Sequence, residues 1–150
     1  MNWDALGAIA ELVGAAAVLA TLIYLSAQIR QNTKMMKASS KQSISDASQQ
    51  AIYKMVDEAE VTHKLLNGGD FDPIEHTKGF MLTRAMYRGY EAQIYQHEVG
   101  LLDDKEWEDL KRVIIESSNY PGIKHFWPEL REAVSPSLRS LIEQAYEQRV

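Results

Sequence analysis

A chain of 150 residues with a net charge of -5, 45% hydrophobic residues and no cysteine has room for one globular domain, or one with an appendage. The missing cysteine excludes a disulfide framework, a thiolate nucleophile and a Cys-ligated zinc or iron–sulfur site. Eight Gly and four Pro exclude collagen-like and low-complexity chains, and the acidic balance argues against a general nucleic-acid binder.

The charge is unevenly spread. Residues 1–29 carry only Asp4 and Glu11. Residues 30–45 carry Arg30, Lys34, Lys37 and Lys41 and no acid, and residues 46–150 carry 12 basic and 19 acidic side chains. The expected organisation is a transmembrane helix over 1–30, a basic juxtamembrane collar over 31–45 and a cytosolic helical domain over 46–150. The expected fold class is all-α, with a single N-terminal transmembrane helix continuing into a cytosolic helical bundle.

Leu12 to Ile29 is an 18-residue run without a charge. As a helix it spans roughly 27 Å, close to the thickness of the hydrocarbon core. Ile9, Leu12, Val13, Leu19, Leu22 and Ile23 surround the axis, whereas a soluble core helix needs only one apolar stripe. Trp3 and Tyr24 suit interfacial anchors near the two ends. The alternative is a helix buried inside a soluble oligomer, which the alanine content favours. The start lacks a basic region and no small-residue cleavage site follows the apolar run, so a cleaved signal peptide is not expected. The four cations after the span place the C-terminal body in the cytoplasm and the N-terminus outside. Near the surface, Arg30, Lys34, Lys37 and Lys41 are each expected to attract anionic headgroups by about 1 kcal/mol.

Small and polar residues in the span share a stripe. Gly7, Gly14, Thr21 and Gln28 recur every seven residues, and Glu11 lies four after Gly7. At 100° per residue all five fall within roughly a third of the circumference. Small side chains let helix backbones approach in lipid, and polar ones find partners there. The expected partner is another copy of the chain. Glu11 has two readings. With a membrane starting near Trp3 it lies about 12 Å further in, where a ring of glutamates in an oligomer lines a cation or proton path. With a membrane starting after Glu11, the side chain sits in the first turns and favours the helix dipole.

Beyond the collar the pattern is amphipathic and helical, without strand-like alternation. No Pro or Gly interrupts Ala15–Asn67, so the long helix is expected to reach about Leu66, with Ile52, Met55, Val56, Ala59 and Leu66 as its buried stripe and a Ser-rich weak point over 38–48. Asn67-Gly68-Gly69 ends it. Asp72-Pro73-Ile74-Glu75 opens the next helix with a capping box and Pro in its first turn, and Phe80, Tyr87, Tyr90 and Ile94 mark its inner face. Gly100 suits its C-cap. Asp103 to Glu106 is a second capping box, followed by Trp107, Leu110 and Ile114. A short helix over Ile123–Trp127 is expected to end or kink near Pro128. Ser135-Pro136 starts the last helix, with Leu138, Leu141, Ile142 and Ala145 inward.

Residues able to carry chemistry are few. Glu60-Val61-Thr62-His63 has the Glu-x-x-His spacing of di-iron bundles, but those need a second copy, which is missing. Glu91, His97 and Glu98 share a helix from which Glu60 or His63 is within reach across a bundle. His97 also fits the edge of the core, and His76 and His125 fit surface or capping positions. No catalytic residue, metal or cofactor is expected.

Taken together, Asn2-Trp3-Asp4-Ala5-Leu6-Gly7, the run Leu22-Ile23-Tyr24-Leu25, the segment Ala27 to Thr33, Tyr87 to Trp107, Pro121-Gly122, Phe126-Trp127 and Ser135 to Ile142 resemble a widespread family of small uncharacterised bacterial proteins. The resemblance covers nearly the whole chain, with Pro128 as a departure. It implies a bacterial, single-span helical protein of the inner membrane, and it brings no activity. The expected function is a membrane-anchored homo-oligomeric scaffold, with the bilayer, further copies and a cytosolic protein as partners. A homo-oligomeric pore lined by the Gly7, Glu11, Gly14, Thr21 and Gln28 face is the alternative. A metal-binding helical enzyme built on Glu60, His63, Glu91, His97 and Glu98 comes third.

Overall fold

A computed structural model describes residues 2–147, Ala5 by its backbone alone. The fold is all-α. In chain order the helices are α1 (Trp3–Asp57), α2 (Ala59–Asn67), α3 (Pro73–Glu98), α4 (Asp104–Ser118), α5 (Pro121–His125), α6 (Trp127–Leu130) and α7 (Pro136–Glu147), with a 3-10 turn at Arg131–Ala133 before α7. The chain divides into two compact units, one up to Ser39 and one from Ser40 onward. That boundary falls inside the expected basic collar.

The first unit is the N-terminal part of α1. Among its described residues no tertiary core is formed, and their apolar side chains lie open around the axis, Leu12 at 73% and Ile23 at 70% exposure. The second unit buries a core drawn from α2 to α7. Val61 and Leu65 of α2, Tyr87 and Ile94 of α3, Ile114 of α4, Phe126 and Trp127, and Leu138 and Ile142 of α7 belong to it. Trp127 meets the rings of Tyr87 and Tyr146 edge-on at 5.9 and 6.1 Å, the geometry favoured by aromatic quadrupoles.

Helix boundaries set by local chemistry stand where the sequence puts them. Asp72 accepts hydrogen bonds from the amides of Ile74 and Glu75 at 2.8 and 2.9 Å, and Glu75 accepts from the Asp72 amide at 2.9 Å. Asp103 and Glu106 repeat this at the start of α4. Gly68 and Gly100 adopt φ of 82° and 76° after α2 and α3, a region that favours glycine.

Three expectations are corrected. The long helix ends at Asp57 rather than near Leu66, and the Ser-rich stretch stays helical. Glu58 leaves the helical region with φ -108° and ψ 47°. Thr62 Oγ1 donates to the Met55 carbonyl at 2.8 Å, and Lys78 of α3 meets the Glu58 carboxylate at 2.6 Å. Both contacts hold the break. The second correction follows from the first, because the break changes the helical phase. Val61 and Leu65 are buried, while Ile52, Val56 and Leu66 are exposed and Met55 is half-buried. The third concerns Pro128. The short helix starts earlier, at Pro121, and ends at His125. Pro128 sits in the first turn of α6, where its missing amide hydrogen is not needed.

Two glycines are required by close packing. A Cβ on Gly79 of α3 would stand 2.8 Å from the Phe126 ring. A Cβ on Gly122 would stand 2.3 Å from the Lys64 carbonyl oxygen and 2.4 Å from the Leu65 Cα. Only glycine lets α5 lie directly on the backbone of α2.

Candidate functional site

The stretch of α1 expected to carry function is an unbroken helix, so Gly7, Glu11, Gly14, Thr21 and Gln28 occupy one of its faces by helical geometry. Gly7 and Gly14 have open space where a Cβ would project. Thr21 Oγ1 donates to the Ala17 carbonyl at 2.8 Å, and Gln28 Nε2 donates to the Tyr24 hydroxyl at 2.7 Å. Both side chains thereby place a polar hydrogen within the helix, which suits an apolar surrounding. Glu11 is exposed.

This helix is long and apolar enough to cross a membrane by length and composition, and none of its apolar stretch is buried. Fully burying one large aliphatic side chain contributes about 1.5–3 kcal/mol. A helix presenting Leu12, Val13, Leu19, Leu22, Ile23 and Ile29 all around its axis is therefore unfavourable in water without a cover.

The four collar cations differ in surroundings. Arg30 turns back along its helix, its guanidinium donating to Ser26 Oγ at 3.2 Å. Lys34 and Lys37 are exposed. Lys41, in the second unit, pairs with Glu106 of α4 at 2.7 Å. Glu106 holds the Lys41 ammonium above its ordinary value, and Lys41, with the Asp103 amide, holds the Glu106 carboxyl below its own. Lys41 thus ties α1 to α4, a contact across 65 residues that sequence spacing does not reveal.

Several of the residues considered for metal chemistry have structural tasks instead. Glu60 and His63 are exposed on α2, beside a shallow depression bordered by the Lys64–Glu75 ion pair at 2.5 Å. Glu91 pairs with Arg88 at 2.8 Å and accepts a hydrogen bond from the Ser135 amide, capping α7 from α3. Glu98 accepts from Ser137 Oγ at 3.4 Å. His97 stacks on Trp107, ring centroids 4.5 Å apart and planes within 6°. His76 meets Glu129 at 3.3 Å and leans on the ring of Phe126. Among the described residues no group of three or more His, Asp or Glu side chains converges on one point.

A buried polar patch in the core left no mark in the sequence pattern. Among the described residues the Tyr87 hydroxyl and Ser118 Oγ have no hydrogen-bond partner, and the Tyr146 hydroxyl donates to the Ser118 carbonyl at 2.9 Å. Burial pushes the Tyr87 and Tyr90 phenols up, and pushes Tyr146 up to about 12. The ordinary phenol value is about 10. A raised folded-state value means that stability is full below pH ~10 and declines as pH rises toward ~12. We expect Tyr87 and Tyr146 to stay protonated at about pH 11 while helical circular dichroism is intact. Phenolate absorbance showing all seven tyrosines ionised in the still-helical protein would contradict this.

No family model matches the chain, and no curated protein or solved structure shows significant similarity to it.

Proposed function

We propose that the protein is a membrane-anchored, homo-oligomeric helical scaffold of the bacterial inner membrane. α1 spans the bilayer with its N-terminus outside, and the helical body holds a protein partner in the cytoplasm. The observation that carries this reading is the apolar stretch of α1, none of which is buried. Lipid covers such a surface on every side without a protein neighbour. Arg30, Lys34 and Lys37 come directly after the charge-free run, which favours a cytoplasmic place for the helical body. The stripe of Gly7, Gly14, Thr21 and Gln28, with Glu11 beside it, supports contact between copies, because close backbone approach is what drives helix association in lipid.

Two measurements test it. Membranes from cells making the protein should retain it through alkaline carbonate washing, and release into the wash would remove the membrane reading. Cross-linking in those membranes should give dimers or larger species for wild type and mostly monomer for Gly14→Leu, whose added bulk separates the helices. Monomer alone in both would remove the homo-oligomer.

A further inference from the structure

In the second unit α1 half-buries Ile44 and Met55 and buries Ser40, whose hydroxyl donates to Gln96 of α3 at 2.8 Å. A separate face, centred roughly 130° round the helix, holds Gln42, Ser45, Gln49, Ile52 and Val56, all exposed, Ile52 at 58% and Val56 at 67%. Their spacing is three, four, three, four residues, the pattern of a coiled-coil seam. No charge falls on this strip, although the same stretch carries Lys41, Asp46, Lys54 and Asp57. Along the sequence the strip keeps the seven-residue register of Gly7, Gly14, Thr21 and Gln28.

We propose that this strip is a parallel seam against a second copy of the chain. The proposal rests on the homo-oligomeric reading and adds where the copies meet outside the membrane. Copies inserted under one charge rule point the same way, so the seam is parallel. With Gln42, Gln49 and Val56 at a positions and Ser45 and Ile52 at d positions, Lys41 takes a g position and Asp46 the e position five residues on. In a parallel pair the g residue of one helix meets that e residue of the other, and here the charges are opposite. Lys41 also meets Glu106, but an ammonium has three donors and serves both carboxylates. Ile52 and Val56 supply apolar contact, and the glutamine layers fix register. The body packs on the Ser40, Ile44 and Met55 side of α1, reaches round to Lys41 at the edge of the strip, and leaves the five strip residues exposed.

The absence of cysteine makes the test direct. Full-length Gln42→Cys, Gln49→Cys and Lys54→Cys variants are oxidised in native membranes, with Gly14→Cys reporting the contact within the bilayer. Gln42→Cys and Gln49→Cys should form disulfide-linked dimers several-fold more than Lys54→Cys, which lies off the strip. Equal dimer at positions 49 and 54 overturns the seam. So does no dimer at 42 and 49 while Gly14→Cys cross-links, and the homo-oligomer then stands. No dimer at any position, Gly14→Cys included, removes both readings.

Discussion

Gly122→Ala should destabilise the helical body by about 3 kcal/mol, at the upper end of what overpacking usually does. The methyl group would land 2.3 Å from the Lys64 carbonyl oxygen and 2.4 Å from the Leu65 Cα. Both atoms are backbone, so no rotamer change makes room. Relief requires α5 to lift off α2, which uncovers Leu65, now 2% exposed. For a domain of this size the expected fall in Tm is roughly 10 °C or more. Gly89→Ala is the matched control. It lies mid-helix in α3, exposed, with nothing within 4 Å of the added Cβ. Replacing a mid-helix glycine there should stabilise by about 0.5–1 kcal/mol. Thermal unfolding of the detergent-solubilised full chain checks both, and equal stabilities for the two variants would contradict the packing described for α2 and α5.

Leu19→Asp should largely prevent α1 from integrating into membranes. A carboxylate at the centre of a span opposes insertion by about 3 kcal/mol, more than a hundredfold in the partition between membrane and water. Leu19 lies near the middle of the charge-free run and is 61% exposed in the unit. The expected result is protein lost from carbonate-washed membranes and recovered as soluble or aggregated chain. Gln50→Asp, on the exposed α1 surface of the second unit, should leave the distribution unchanged. Unaltered membrane retention of Leu19→Asp would count against a span over this segment.

What could be read from the chain depended on how far apart the deciding residues lie. Asp72 with Glu75, and Asp103 with Glu106, are three residues apart, and each pair sets its own helix start. Gly68 and Gly100 end helices by their own backbone freedom. The break at Glu58 is different, because the side chain that meets Glu58, Lys78, lies 20 residues downstream. An uninterrupted run without Pro or Gly therefore read as one helix, and the stripe through Ile52, Val56 and Leu66 read as core although these side chains are exposed. Glu91 looked like a candidate metal ligand because nothing local shows that it caps α7 across 44 residues. Gly79 and Gly122 gave no signal, since a close approach to Phe126 or Leu65 leaves no periodic mark. The stripe from Gly7 to Gln28 was legible because it needs only the helical period. Lys41 was grouped with the other collar cations by spacing, and its pairing with Glu106 depends on the fold.

The seating of α5 on α2 also sets a timetable for synthesis. Leu65 leaves the ribosome 57 residues before Gly122, the residue that will cover it. At about 5–20 residues per second that interval is roughly 3–11 s. During it Val61 and Leu65 are made but not yet covered by α5, next to Ile52 and Val56, which the finished body never covers. The nascent chain therefore displays these four apolar side chains close together in sequence, beyond the basic collar, and chaperone engagement at this point should be longest for chains stalled before Pro121.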